Sequence, residues 1–439
     1  MNSHDLQIVT IKSLFQLNLG IPLFQRPYRW ASESAMLLFN DIYSSFKKNN
    51  GEYRIGTVIL YRKKNLNNQY EYQIVDGQQR ITTLSLLIYA LKTMLDDNNL
   101  MSYLNLFKKD GSFNALSVDS IRKNYEVLKE KCDYCRSTTN LKSFSKYILE
   151  KCTFVKIVTN SEQQAFQFFD SQNSRGKELA PHDLLKSYHL REMANDSETV
   201  KKILIGKWER INQEELAGSF AYHFYPLIKW HKKEVGINYS VKQIEVFKGI
   251  KSDDKFNYVF YHLAVLKYYK SKNTESFQNA KYQLTQPVIA GKEFFSSTLH
   301  YYELIGKVIQ KIEDEIENPI VKDKNGGNGY VRNLFINAVL FFADRFGMDS
   351  LVSPIILKFY KWAYSLRLVM YSVYIETVNN YALGINKRAN ENLNMFNIIA
   401  DMKSPSELDA ILLQKIKKDE CKYSQNNKLW NELFGDENG

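Results

Sequence analysis

Four cysteines in 439 residues (Cys132, Cys135, Cys152 and Cys421) are too few and too scattered for an extracellular disulfide framework, so a reducing cytoplasm is the expected home. Glycine (19) and proline (8) are scarce, together about half their usual share, which leaves few places where a helix must stop. Long apolar runs are missing too. The most apolar stretches are broken by Asn337 and Asp344, or by Lys358, Lys361 and Arg367, short of the roughly 18 uninterrupted residues a membrane span needs, so no membrane is expected. His4, Asp5 and Lys12 stand where a secretory leader would run from charge into an apolar core.

What remains is a long, aromatic, basic chain. Its length predicts two to four domains at about 100–200 residues each. Aromatics reach 14%, with 29 Tyr and 26 Phe, which favours packed helices. The net charge of +11 comes from 45 Lys and 14 Arg against 48 acids. Lysines opposite phosphates release counterions, so a basic chain suits nucleic acid, but dispersed lysines usually only solvate a surface. Arginine is more informative because its planar fork suits bidentate phosphate contacts, and Arg26, Arg29, Arg54, Arg62 and Arg80 all fall between positions 21 and 80.

Residues 21 to 90 alternate short apolar runs with turns. The β-branched and aromatic runs Arg54 to Tyr61 and Tyr70 to Val75 predict two paired strands joined by a loop from Lys63 to Asn68. Ile81, Leu84, Leu87, Ile88 and Leu91 then take helical spacing to about Met94. Helices are expected over Ile121 to Lys131 and Leu141 to Glu150, followed by a strand from Thr153 to Val158. Ser161 to Gln164 has capping-box spacing for a helix that stops at Asn173-Ser174-Arg175-Gly176, and Pro181 suits the first turn of another, from His182 to about Met193. Beyond Val200 the period is helical, as in Tyr258 to Tyr269, Phe294 to Ile316, Tyr330 to Phe346 and Ile355 to Tyr381. The expected fold class is α+β. An α/β module fills residues 1–195 and an all-helical module 196–439, with a seam considered at the glycine-rich loop 322–329.

The segment with most chemical content is Asp76-Gly77-Gln78-Gln79-Arg80 at the strand-to-helix junction. Glycine there lets a ligand approach the backbone, and the unpaired amides of a helix start attract anions. Arg80 adds a cation, Gln78 and Gln79 add neutral donors and acceptors, Thr82 and Thr83 add hydroxyls, and Asp76 is a carboxylate suited to magnesium or to orienting water. Taken alone, such a turn is more often only a turn. It matches neither the P-loop nor the dinucleotide fingerprint. A second segment, Ile21 to Trp30, sets Arg26 and Arg29 among three aromatics, which suits nucleotide contact, although Tyr28 and Trp30 read better as plugs for the core beneath. A third, Asn173-Ser174-Arg175-Gly176-Lys177, reads on its own as a helix-ending cap.

Together and in this order, Ile21 to Trp30, Asp76 to Arg80, and Asn173 to Leu179 with Asp183-Leu184-Leu185-Lys186 resemble the N-terminal domain of the GmrSD type IV restriction family. Tyr53 to Val58 fits that family's connecting strand. The resemblance covers roughly the first 190 residues. It implies a ParB/sulfiredoxin-like α/β fold, with the Asp-Gly-Gln-Gln-Arg turn holding nucleotide phosphates. It also implies a nucleoside triphosphatase linked to restriction of foreign, often modified, phage DNA. Carried across, Asp76 and Arg80 are the candidate catalytic residues. Gly77, Gln78, Gln79, Arg80 and Thr82 are nucleotide-binding, and Gln25, Arg26, Asn173, Arg175 and Gly176 are neighbours. The cofactor implied is a nucleoside triphosphate; no protein metal site is assigned, with magnesium considered at Asp76 from the carboxylate's own chemistry.

Departures from the family pattern are Phe24 for Tyr, Gln172 for an apolar residue, and Ala180 for a capping Ser or Thr. Many relatives carry a C-terminal HNH nuclease, which needs a histidine base beside metal ligands. After residue 240 only His262 and His300 remain, each in an aromatic helical context, so cutting is assigned to a separate HNH-type nuclease subunit. Cys132 and Cys135 have half a zinc site's spacing with no second pair, and His182 and Asp183, adjacent on a helix, point apart. The leading expectation is a cytoplasmic sensor or regulatory subunit of an anti-phage restriction system that meets DNA, with self-association left open. A DNA- or partner-binding module without hydrolysis, and a metal-dependent nickase using Asp76, remain as alternatives.

Overall fold

A computed structural model describes residues 6–64, 68–104, 115–161, 164, 180–272, 280–422 and 427–435. Its contacts divide the chain into two units, Met1–Leu179 and Ala180–Gly439. The fold is α+β, a small mixed sheet with helices followed by a helical unit.

In the first unit, β1 (Leu6–Thr10), β2 (Leu19–Gly20), β3 (Tyr53–Lys64), β4 (Tyr70–Asp76) and β5 (Cys152–Thr159) form one sheet in the order β1-β5-β3-β4-β2. β3 pairs antiparallel with β4, as the hairpin pattern predicts, and parallel with β5. The expected Thr153 to Val158 strand is β5, while β1, a five-residue edge strand, was not expected. The helices are α1 (Ile11–Phe15), α2 (Ser32–Lys47), α3 (Gln78–Leu95), α4 (Ala115–Arg136) and α5 (Leu141–Lys151). Ile81, Leu84, Leu87, Ile88 and Leu91 of α3 are all essentially inaccessible and pack with Val58, Leu60, Ile74, Phe144 and Phe154. Each such side chain stabilises the fold by about 2 kcal/mol relative to exposure. Cys132 and Cys135 belong to the same core, and burial pushes the Cys132 thiol up to about 12.

The second unit holds α6 (Pro181–Glu192), α7 (Glu198–Arg210), α8 (Gln213–Ser219), α9 (Tyr225–Trp230), α10 (Asn257–Lys270), α11 (Lys292–Glu315), α12 (Gly326–Phe346), α13 (Ser353–Leu368), α14 (Ile375–Ala382), α15 (Met395–Asp401) and α16 (Asn427–Phe434). Helix α6 belongs to this unit by its contacts. The buried His189 ring accepts from the Gly291 amide at Nδ1 (3.1 Å) and donates from Nε2 to the Phe247 carbonyl (3.0 Å). Burial holds that ring neutral, down at about 3.

Two expectations need correction. The helix expected over Ile355 to Tyr381 is two, α13 and α14, separated by residues 369–374. Of the glycine-rich loop 322–329, the second half, from Gly326, is the first turn of α12, inside the second unit. A Cβ at Gly329 would lie 2.3 Å from the Lys324 carbonyl oxygen, so that glycine allows a close chain approach rather than a seam. The expected helix from Ser161 and its end at Asn173 to Gly176 lie outside the described residues, apart from Ser161 and Gln164.

Candidate functional site

The junction of β4 and α3 is built by backbone geometry. Asp76 ends β4, and Gly77 takes the left-handed conformation (φ +96°), which β-branched and bulky residues avoid. The first bond into the helix runs from the Ile81 amide to the Gly77 carbonyl (3.0 Å), so the amides of Gln78, Gln79 and Arg80 come before it. No side chain caps this helix start. It therefore presents free donors and the positive end of the helix dipole.

Arg80 points back over the turn, its Nη2 lying 3.5 Å from the Asp76 carboxylate, with both side chains partly exposed. Its guanidinium sits against Gly56 of β3. A Cβ at Gly56 would come within 2.1 Å of Nη1, and Gly56 itself has φ +142°, in glycine's territory. A bulge at Ile55 marks this place, where the β3–β5 register skips from Arg54 to Gly56. Sequence reasoning placed Gly56 in a family strand without seeing this role. Its signal is a glycine inside a run of strand formers.

The segment 21–30 lies against the same turn and is pinned on both sides of Arg26. On one side the Gln25 side-chain amide donates to the carbonyls of Ile74 (3.1 Å) and Val75. On the other, Gln79 Oε1 accepts from the amides of Arg29 (3.0 Å) and Trp30 (3.2 Å), and Gln79 Nε2 donates to the Pro27 carbonyl (3.3 Å). Gln79 is thus a clamp on this loop, its oxygen accepting twice and its nitrogen donating once. Tyr28 is fully buried, bonded to Thr83 (2.7 Å) and Asn124 (2.9 Å), and burial raises its phenol above the usual range. Trp30 packs beside it, so the aromatics plug the core as expected. Arg26, between the two pins, is half-buried, and among the described residues its guanidinium has no hydrogen bond or ion pair.

Gln78 and Thr82, one turn apart on α3, are buried, and Gln78 Oε1 and Thr82 Oγ1 have no hydrogen-bond partner among the described residues. The structure thus brings together Gln25, Arg26, Asp76, Gly77, Gln78, Gln79, Arg80 and Thr82, with Thr82 in the interior. Asn173, Arg175 and Gly176 lie outside the described residues. Ala180 precedes α6 without a side-chain cap, as its departure from the pattern implies. The last part of the pattern, Asp183 to Lys186, lies on α6 in the second unit, where buried Lys186 is ion-paired with Glu209 of α7.

Comparison with known proteins gives two matches. The model of the GmrSD restriction endonuclease N-terminal domain matches residues 11–190. A family of unknown function (DUF7834) matches residues 200–429, the stretch in which an HNH nuclease was not expected. No curated protein matches the chain. Among the described residues, no helix is long and apolar enough to cross a membrane.

Proposed function

This chain belongs to the family of unknown function whose model spans its residues 200–429 and carries a GmrSD restriction endonuclease N-terminal domain ahead of it; from that premise we propose that it is the nucleotide-binding regulatory subunit of a type IV restriction system. On this reading it binds and hydrolyses a nucleoside triphosphate, senses foreign, often modified, DNA, and hands cutting to a separate HNH-type nuclease.

The observation that carries the reading is an uncapped helix start at Gly77 with Arg80 over the turn, its one ion pair among the described residues a long contact to Asp76, and with Arg26 in the loop pinned against the same junction. Phosphate oxygens accept from the amides of Gln78, Gln79 and Arg80, while Arg80 and Arg26 balance their charge. Asp76 is the one carboxylate of this turn. That donor set fits a magnesium ion held jointly with phosphate oxygens, an ion that reluctantly sheds water and commonly takes one or two carboxylates. When bound, magnesium would neutralise charge on the phosphates. Asp76 would orient the attacking water. Gln78 Oε1 and Thr82 Oγ1 are buried without partners among the described residues, so either takes part in binding only if the turn opens to admit the ligand.

Calorimetric titration of the intact chain with each ribonucleoside triphosphate and magnesium, followed by phosphate release, tests the reading. One triphosphate should bind and be hydrolysed. Arg80→Ala should weaken binding about a hundredfold, the worth of a charge-assisted contact near 3 kcal/mol. Asp76→Asn should keep binding and lose hydrolysis. Unchanged affinity in Arg80→Ala would sink the site assignment.

A further inference from the structure

Helix α10 breaks the rule for a surface helix. Its inward face is ordinary: Val259 is buried and, with Leu263 and Leu266, packs on Ile250 and Ile289. The opposite face should be polar. At 3.6 residues per turn, Tyr258, Tyr261, Val265 and Tyr268 fall on one stripe there, and the three tyrosines are 53, 65 and 53% exposed. Phe256, just ahead of the helix, stacks on Tyr258 with ring centres 6.1 Å apart, and Phe260 on the flank is 54% exposed. Lys251, Lys255, Lys267, Lys270 and Lys272 are interleaved with these rings, against Asp253 and Asp254. The Lys272 ammonium lies 5.4 Å from the centre of the Tyr268 ring, and Lys270 reaches Glu293 of α11 (2.6 Å).

Clustered exposed aromatics mark interaction sites. The centres of protein interfaces are depleted in lysine, which disfavours a protein occupant for a stripe this basic. Exposed rings set among cations match instead the requirements of an unpaired nucleic acid strand, whose bases stack and whose phosphates follow the positive charge. Tyr261 also lines a cavity of about 260 Å³ whose walls carry His262, Tyr282, Gln283 and Gln286. Aromatic faces beside side-chain amides suit one base taken out of its stack.

We propose that the tyrosine face of α10 binds an unpaired DNA strand, with bases stacked on Tyr258, Tyr261 and Tyr268 and phosphates beside the flanking lysines. The proposal lies in the second unit and does not rest on nucleotide binding at Asp76 to Arg80.

The test is fluorescence anisotropy of labelled oligothymidine with the full chain across a salt series. Binding should weaken with salt. The triple variant Tyr258→Ala, Tyr261→Ala, Tyr268→Ala should lose at least a hundredfold, whereas the triple Tyr→Phe variant should stay within about twofold, because stacking needs the ring and not the hydroxyl. Lys255→Ala with Lys267→Ala should reduce the salt slope by about 1.4, near 0.7 per lost phosphate contact on a single strand. Should the triple alanine variant fail to fold, the lysine pair decides. Arg80→Ala should leave strand binding unchanged, which separates this proposal from the nucleotide site. No binding by the intact chain, unchanged affinity in the alanine variant, an unchanged salt slope in the lysine pair, or tighter binding of oligouridine would overturn it. So would loss of self-association in the alanine variant with strand binding intact, which would assign the face to a second copy.

Discussion

The arginines drawn away from solvent behave differently in the two units. In the helical unit each is tied to protein atoms. Arg332 is buried and donates to the Val321 carbonyl (2.7 Å), Arg345 donates twice to the Met402 carbonyl, and Arg367 donates to Asn328 and to the Met370 carbonyl. At the β4–α3 turn, Arg80 has one long contact to Asp76, and Arg26 has no partner among the described residues, although the segment carrying it is pinned at both ends. Elsewhere in the first unit Arg54 and Arg62 donate to Thr153 and Asn160, so the difference belongs to the turn and not to the whole unit. A guanidinium bonded to carbonyls ties a fold together; one held in place and left open is available to an anion.

Breaking a tie should cost stability. Arg332→Ala orphans a buried carbonyl and should destabilise the helical unit by about 2–3 kcal/mol, read from a urea midpoint, with triphosphate affinity unchanged. Gly56→Ala acts on the other side of the comparison. The new methyl occupies the place of the Arg80 guanidinium, so binding should fall about tenfold, a loss near 1.4 kcal/mol, while backbone strain costs stability by a similar amount. If Gly56→Ala binds triphosphate normally, Arg80 does not act from this position. Gln79→Ala frees the loop that carries Arg26 and leaves two backbone amides without their acceptor. About 1–2 kcal/mol of stability should go, with a smaller loss of affinity.

The smallest effect is in pH. Burial pushes the Asp344 carboxyl up to about 7, and holds His189 and His223 down at about 3 and 4. Asp344 therefore loses stability as pH rises from the ordinary carboxylate value of about 4 to its folded value. The histidines lose stability as pH falls below about 6.5, where the unfolded rings protonate. Between about 4 and 6.5 the two slopes oppose, so Asp344→Asn should lose stability more steeply on acidification than the intact chain. Parallel urea midpoints from pH 7.5 to 5 would contradict this.

The strand-glycine-helix junction was legible because it is local: a β-branched run, one glycine, then apolar residues at helical spacing. The break between α13 and α14 was not, because Val369, Val373 and Val378 continue an apolar pattern and no proline or glycine punctuates residues 369–374. Strand β1 was missed because it is only five residues long, its Leu6 and Ile8 face solvent instead of a core, and its pairing partner lies about 150 residues on. At the turn, Gln79 looked ready for a ligand because its partners, Pro27 to Trp30, lie about 50 residues back. Gly56 was silent for the same reason, since its need for glycine is set by Arg80 across the sheet.

The contrast between the two sets of arginines is tested most directly by melting the intact chain, Arg80→Ala and Arg332→Ala with and without saturating triphosphate and magnesium. Without ligand, Arg80→Ala should melt with the intact chain and Arg332→Ala below it. With ligand, the intact chain and Arg332→Ala should shift upward and Arg80→Ala should not. An Arg80→Ala protein that melts as low as Arg332→Ala without ligand, or that shifts upward like the intact chain with it, would show that the turn arginine serves the fold and contradict the account.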